Sequence, residues 1–224
     1  MSSDDLNNSI NSKISDLAIN FPIPAKPELL QLISDELDKP ACNFAVIANL
    51  ISRDVAISAA VLKLVNSAYF GLASKVDSIQ QAINFIGLNL TVNLVRGFLL
   101  NRVYEQSGIS FPRFWDTAER ISQINRAIAV KILRINADKS YLIGLFHDTG
   151  IPLISSHYAD YRKTLNQANL RQEGLFTDLE DEHYNINHAT VGGLICQEWG
   201  LPDDVAEIIE HHHDVDYMIQ QQYQ

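Results

Sequence analysis

Histidine and aspartate are the residues in this chain whose types and spacing could do chemistry. GLFHDTG, residues 144–150, sets His147 beside Asp148 in an apolar helical context, which is half of a metal site. Imidazole nitrogen together with carboxylate oxygen suits zinc, iron or manganese. Three more imidazoles share helix faces with core-type residues. In NHATVGGLICQEWG, His188 falls on one face with Val191, Gly192, Ile195 and Trp199. In LPDDVAEIIEHHHD, Val205, Ile208 and His212 stand at i, i+3 and i+7, and His213 lies four residues after Ile209. His211 follows Glu207 and is expected to look outward. Asp148 is rotated by about 100° from His147 on a helix. The pair can therefore meet one ion only near a helix end, which Thr149 and Gly150 could supply. An inward histidine is equally explained as a hydrogen-bonded core residue. A hydrolytic site demands more: a closed ligand set with a position left open for water.

The elements that must position these side chains read as helices throughout. Period-two alternation is scarce and helical spacing recurs. Ala118, Ile121, Ile124, Ile128 and Ile132 form one stripe after Phe114, which predicts an inward face. Asn43 is placed to cap FAVIANLIS, and Ser78 to cap IQQAINFIG, with Gly87 at its stop. In DVAISAAVLKLVNSAYFG, the small Ala56, Ala59 and Ala60 would permit close helix approach, and Gly71 could end the segment. Pro202 suits the first turn of the following helix. Gly108 and Pro112 in YEQSGISFP mark a boundary. The expectation is an all-α chain with helical lobes at 1–110 and 111–224.

Composition removes several function classes. A net charge of -10 argues against a nucleic-acid partner, because phosphate binding needs a basic stripe. Arg126, Lys131 and Arg134 are scattered along one helix and read as a solvated face. Cys42 and Cys196 are the only cysteines and form no CxxC, so neither a disulfide scaffold nor a zinc knuckle is expected. The start, MSSDDLNNSINSKISDL, is too polar for a secretory signal, and no apolar run approaches the roughly 20 residues of a membrane span. A cytoplasmic protein without a membrane partner is expected. GxSxG, Walker-type and GxGxxG patterns are absent.

Larger segments carry a family resemblance. ISRDVAISAAVLKLVNSAYFG, SIQQAINFIG, FW ahead of a long helix, GLFHDTG, WGLP and the final HHD resemble the HDOD domain, from about Asp16 to His213. The resemblance implies one two-lobed, all-α HDOD domain, similar in fold to HD-type metal phosphohydrolases and HD-GYP cyclic di-GMP phosphodiesterases. It also implies a non-enzymatic bacterial signalling or regulatory module.

The same resemblance defines what is kept and what is lost at the metal site. His147 and Asp148 match the HD pair, His188 the histidine ahead of Val191-Gly192, and His212 and His213 the paired histidines. In relatives a first histidine usually follows FW. Thr117 holds that slot here, on the Ile121, Ile124, Ile128 stripe and so facing inward, where a neutral hydroxyl is a poor substitute. The hydrolases close their site with an aspartate on a later helix. DVDYMIQQQYQ leaves little room for one, and Asp214 and Asp216 cannot simply take the role. The five matched residues therefore read as a vestigial site. No catalytic residue and no cofactor are expected, beyond a weakly bound divalent transition metal.

Three details concern the surroundings of that site. Asn185 stands where relatives often have glycine, and asparagine is the next-best residue for a left-handed turn. Thr149 puts a hydroxyl beside Asp148, either to hold the carboxylate or to fray the helix. Asn66, Ser67, Tyr69 and Phe70 of NSAYFG can cap, turn and pack, or build a groove between the lobes for a ligand or partner.

The first reading is a regulatory module that binds signalling proteins, a nucleotide or another small ligand. A metal or nucleotide sensor and a cyclic-dinucleotide phosphohydrolase are the alternatives. No oligomeric state is specified.

Overall fold

Polar caps and left-handed glycines divide the chain into helices in the computed structural model, which describes residues 23–109, 111–171 and 173–221. The opening stretch MSSDDLNNSINSKISDL lies outside the described residues, as does the end of the QQQYQ tail. Helix α1 (Glu28–Leu37) follows the proline-punctuated approach. α2 (Phe44–Ser52) starts at Asn43, whose side chain accepts from Ala45 N. α3 (Val55–Val65) starts at Asp54 in the same way, with Ile57 N as donor. α4 (Ile79–Ile86) begins at Ser78 and stops at Gly87, where φ is 88°. α5 (Leu88–Gln106) is the longest element. α6 (Pro112–Ile128) runs into a π-helical turn, Ala129–Leu133, that ends at left-handed Arg134. Then come α7 (Ala137–Phe146), α8 (Gly150–His157), α9 (Tyr161–Leu170), α10 (Asp178–Tyr184), α11 (His188–Glu198), α12 (Asp203–Glu210) and α13 (Val215–Gln221). No strand occurs among the described residues, as the helical spacing predicts. No single described helix is long and apolar enough to cross a membrane.

α5 is the spine. It buries residues on every side, from Leu90 and Thr91 through Val95 and Leu99 to Tyr104, as a helix surrounded by others must. It touches α3 and α4 on one side and α7 on the other. At its far end the Tyr104 hydroxyl donates to Thr149 O at 2.6 Å, tying the spine to the turn after α7.

The face that α6 buries differs from the predicted isoleucine stripe. Ala118, Ser122 and Ala129 are buried, whereas Ile124, Ile128 and Ile132 are 57%, 38% and 71% exposed. Gly144 of α7 explains the choice. A methyl group there would come within 2.7 Å of Ser122 Cα, so the two helices touch backbone to backbone. Only small side chains fit such a seam, and the large aliphatics are left on the outer face. Thr117 shares that outer face. It is exposed, and its hydroxyl donates to Arg113 O at 2.9 Å, so the expectation that it points inward is corrected.

Smaller expectations also divide. Ala56 and Ala59 are exposed, because α3 buries Ile57, Val61 and Val65 instead. α3 stops at Val65, six residues before Gly71, and Asn66 holds the turn that follows. Its amide donates to Leu62 O and Val76 O and accepts from Val76 N. Pro202 sits immediately before α12. Lys131 and Arg134 are exposed as expected, while Arg126 is half-buried 3.8 Å from Asp138.

Candidate metal centre

Three helix ends meet at the site. α7 ends at Phe146, and His147, Asp148 and Thr149 form a tight turn before α8. The Thr149 hydroxyl is buried and donates to Phe146 O at 2.7 Å. It therefore closes the turn, which is neither of the two roles expected for it. α11 enters through left-handed Asn185 (φ 55°) and is capped by Asn187, whose side chain accepts from Thr190 N at 2.9 Å. That cap sets His188 in the first turn. Gly150 allows the approach: a Cβ there would lie 2.2 Å from His188 O. His212 and His213 follow the end of α12, which packs along α11.

Together these ends converge on one point. Single donor atoms from Asp148, His188, His212 and His213 all lie within 4.8 Å of one another. Asp148 Oδ1 is 3.4 Å from His188 Nε2 and 3.5 Å from His212 Nε2. His188 Nε2 and His213 Nε2 are 3.1 Å apart. Tetrahedral ligands about 2.0–2.1 Å from a zinc ion stand about 3.3–3.4 Å from each other, so these spacings match such an ion's shell. His147 is placed just behind: its Nε2 is 3.1 Å from Asp148 Oδ2, whereas His188 and His212 approach Oδ1. His211 stacks on Tyr217 at 3.8 Å and is outside the group, as expected.

The far nitrogens explain why the near ones point together. His147 Nδ1 bonds Gly144 O at 2.9 Å, and His212 Nδ1 bonds Ile209 O at 2.7 Å. A carbonyl only accepts, so each Nδ1 carries the proton and Nε2 presents a lone pair. His188 Nδ1 meets Glu180 Oε2 at 2.6 Å, both side chains being fully buried. Tyr161 donates to the other Glu180 oxygen. Phe176 stacks on His213 with ring centroids 4.8 Å apart. Glu180, Tyr161 and Phe176 carry no metal-ligand spacing and were not singled out from sequence. For Glu180 a signal existed, a glutamate eight residues ahead of His188; Tyr161 and Phe176 had none.

Lone pairs and a carboxylate at such distances need positive charge between them. Burial works against ionising Asp148, but the imidazoles of His147, His188 and His212 beside it, when protonated, outweigh it and hold the carboxyl far below the usual carboxylate range. Burial likewise opposes charge on His188, yet Asp148 and Glu180 raise it to about 9. His147 is raised by Asp148 against its burial. His213 goes the other way, down to about 3, through burial and repulsion from His212 and His188. One proton on His188 answers part of the need. It leaves His212 Nε2 buried and without a hydrogen bond among the described residues. A divalent cation would satisfy all four donors at once, so the residues present fit a metal.

Residues 23–215 match the model of the HDOD domain. The chain belongs to the HDOD family. An uncharacterised Treponema pallidum protein is 31% identical over 199 residues, 86% of this HDOD chain and 38% of the relative, so the chain spans well under half of that protein. A candidate phosphohydrolase from Shewanella amazonensis superposes with a TM-score of 0.73 at 20% identity, covering 93% of this chain and 72% of that one. An HDOD domain protein of unknown function from Geobacter sulfurreducens gives a TM-score of 0.67 at 22% identity, covering 87% and 66%. These likenesses establish an HD-like helical fold.

The NSAYFG residues of the HDOD chain are structural in part. Asn66 staples its turn, and the Tyr69 hydroxyl donates to Gln123 O of α6 at 3.3 Å. Phe70 packs edge-on against Tyr69 at 4.9 Å. Ser67 Oγ is buried without a hydrogen-bond partner among the described residues. Of the five metal-site candidates, four form the donor group and the fifth, His147, supports Asp148. Asp214 caps α13 through Tyr217 N at 2.9 Å, and Asp216 is exposed, so neither joins the group.

Proposed function

We propose that this chain is a regulatory module of a cytoplasmic bacterial signalling system, acting through protein or small-ligand binding. In this reading segments 1–110 and 111–224 form one HDOD unit. Asp148, His188, His212 and His213 hold one divalent transition metal that braces the ends of α7, α11 and α12. The observation that carries it is the donor count: four side-chain atoms lie within 4.8 Å of one another, three of their pairs at 3.1–3.5 Å, enough to fill a four-coordinate shell. Structural zinc sites are closed in this manner, whereas hydrolytic ones keep three protein ligands and a water. When bound, the ion supplies charge neutralisation for Asp148. Glu180 and the Gly144 and Ile209 carbonyls keep the imidazoles oriented.

A phosphohydrolase is the second reading, favoured by the 30% exposure of the Asp148 side chain, which leaves the group open to solvent on one side. Elemental analysis of freshly purified protein and an assay with a cyclic dinucleotide separate the two. The regulatory reading expects about one transition-metal ion per chain, a melting temperature lowered by chelator, and no turnover. Hydrolysis that disappears with chelator and returns with metal would transfer the conclusion to the enzyme.

A further inference from the structure

A second concavity lies across the molecule's midline, between α3 and α5 on one side and α6 and α7 on the other. Its volume is about 330 Å³, in the range of small-molecule sites, and no residue of the histidine group lines it. Phe98 and Trp115 form apolar walls. Trp115 is fixed edge-on by Phe114 at 5.0 Å and leans on Tyr104 at 5.9 Å. The charged and amide groups are Lys63, Asn101, Asp116 and Glu119, with the Tyr141 hydroxyl also in the lining. Glu119 Oε1 accepts from Gln123 at 3.0 Å. The side chains of Lys63, Asn101 and Asp116 make no hydrogen bond or ion pair among the described residues.

We propose that this cleft binds a small organic cation, a primary amine on an aromatic or apolar body. The ammonium sits between Asp116 and Glu119, and the body lies against Phe98 and Trp115. Charge selects this class. Two carboxylates and one ammonium leave the lining with one formal negative charge uncompensated. Burial, then the neighbouring Asp116, raises the Glu119 carboxyl, and Lys63, the Gln123 hydrogen bond and Arg120 outside the lining offset this only in part. A phosphate or carboxylate ligand would meet two like charges. A neutral ligand would be asked to desolvate them without a counter-charge. An ammonium gains from both carboxylates and from the aromatic faces beside them.

The position gives binding a consequence. The cleft is built from helices on both sides of residue 110, so an occupant biases how the two halves sit together. The purpose of the site thus rests on the regulatory reading, while its chemistry does not.

The test is calorimetric titration of the full chain with 2-phenylethylamine, its neutral analogue 2-phenylethanol and the anion phenylacetate. Trp115 fluorescence provides a second readout. The amine is expected to saturate with a Kd below about 1 mM, the alcohol to bind roughly tenfold more weakly, and phenylacetate not at all. Glu119→Gln should weaken the amine roughly tenfold with the melting temperature unchanged. Asp116→Asn, at the exposed rim, should do the same without any folding risk. Equal binding of amine and alcohol, preference for phenylacetate, or no amine binding at about 10 mM would overturn the proposal. If amine binding fails while metal binding persists, only this inference is lost. Amine binding to chelator-treated protein stands whatever the metal result.

Discussion

Replacing Glu180 with alanine separates the folding role of the buried network from its metal role. Glu180 and His188 are both fully buried, and the carboxylate is the acceptor for His188 Nδ1 at 2.6 Å and for the Tyr161 hydroxyl. Glu180→Ala strands two buried donors at about 1–3 kcal/mol each, consistent with the roughly 3–5 kcal/mol of a broken buried ion pair. For a chain of this size that is a melting temperature lower by roughly 6–20 °C. Glu180→Gln keeps an acceptor for His188 and should cost only about 1–2 kcal/mol, the difference between a charged and a neutral hydrogen bond. Zinc affinity should fall about 10–100-fold in Glu180→Ala, where the ring that presents His188 Nε2 loses its anchor, and less in Glu180→Gln. Urea unfolding with chelator present measures the first effect, and zinc calorimetry on the folded variants measures the second. If Glu180→Ala unfolds within about 0.5 kcal/mol of the parent and binds zinc equally well, the buried relay has no role and the reasoning fails.

Other consequences are as direct. In chelator-treated protein, His188 raised to about 9 stabilises the fold fully below its ordinary value near 6.5, and that contribution is lost as pH rises through about 9. His213, lowered to about 3, acts oppositely: its contribution is present above about 6.5 and is lost as pH falls toward about 3. Urea midpoints should therefore decline between about pH 6.5 and 9, and an Asn at 188 should flatten that limb. Added zinc should reverse the slope, because metal competes with protons for the same nitrogens. Ile132→Gln in the π-helical turn should change stability by less than about 0.5 kcal/mol, while Ser122→Leu on α6 should cost about 1–3 kcal/mol by wedging the Gly144 seam. Denaturation curves giving the reverse order would show that the isoleucine stripe is the buried face. Gly150→Ala should lower both melting temperature and zinc affinity, since its methyl would overlap His188 O at 2.2 Å. Unchanged zinc binding in that variant would mean that the turn and α11 need not touch.

Much was legible before any coordinates. Caps at Asn43 and Ser78, the stop at Gly87 and the left-handed turn at Asn185 are local matters, settled by a few bonds between near neighbours, and they appear where the residues place them. The inward direction of His188 and the separation of His211 from the donor group follow from helical periodicity within one element. Which face of α6 is buried could not be read that way. Its isoleucines satisfy the periodic pattern, but the partner helix offers Gly144, and a seam that narrow admits only Ala118 and Ser122. The misplacement of Thr117 is the same error.

The donor group marks the division most clearly. Residue types and spacing nominated Asp148, His188, His212 and His213 one helix at a time. They could not say that four atoms from three helix ends fall within 4.8 Å, because that distance is fixed by how α7, α11 and α12 stack. Nor could they show Glu180, a carboxylate from a fourth helix that holds His188 from behind. Local hydrogen bonding and periodicity are written in neighbouring residues, and so the sequence alone determined the helices and the candidates. Convergence depends on contacts between residues far apart in the chain, and only the tertiary structure decided it.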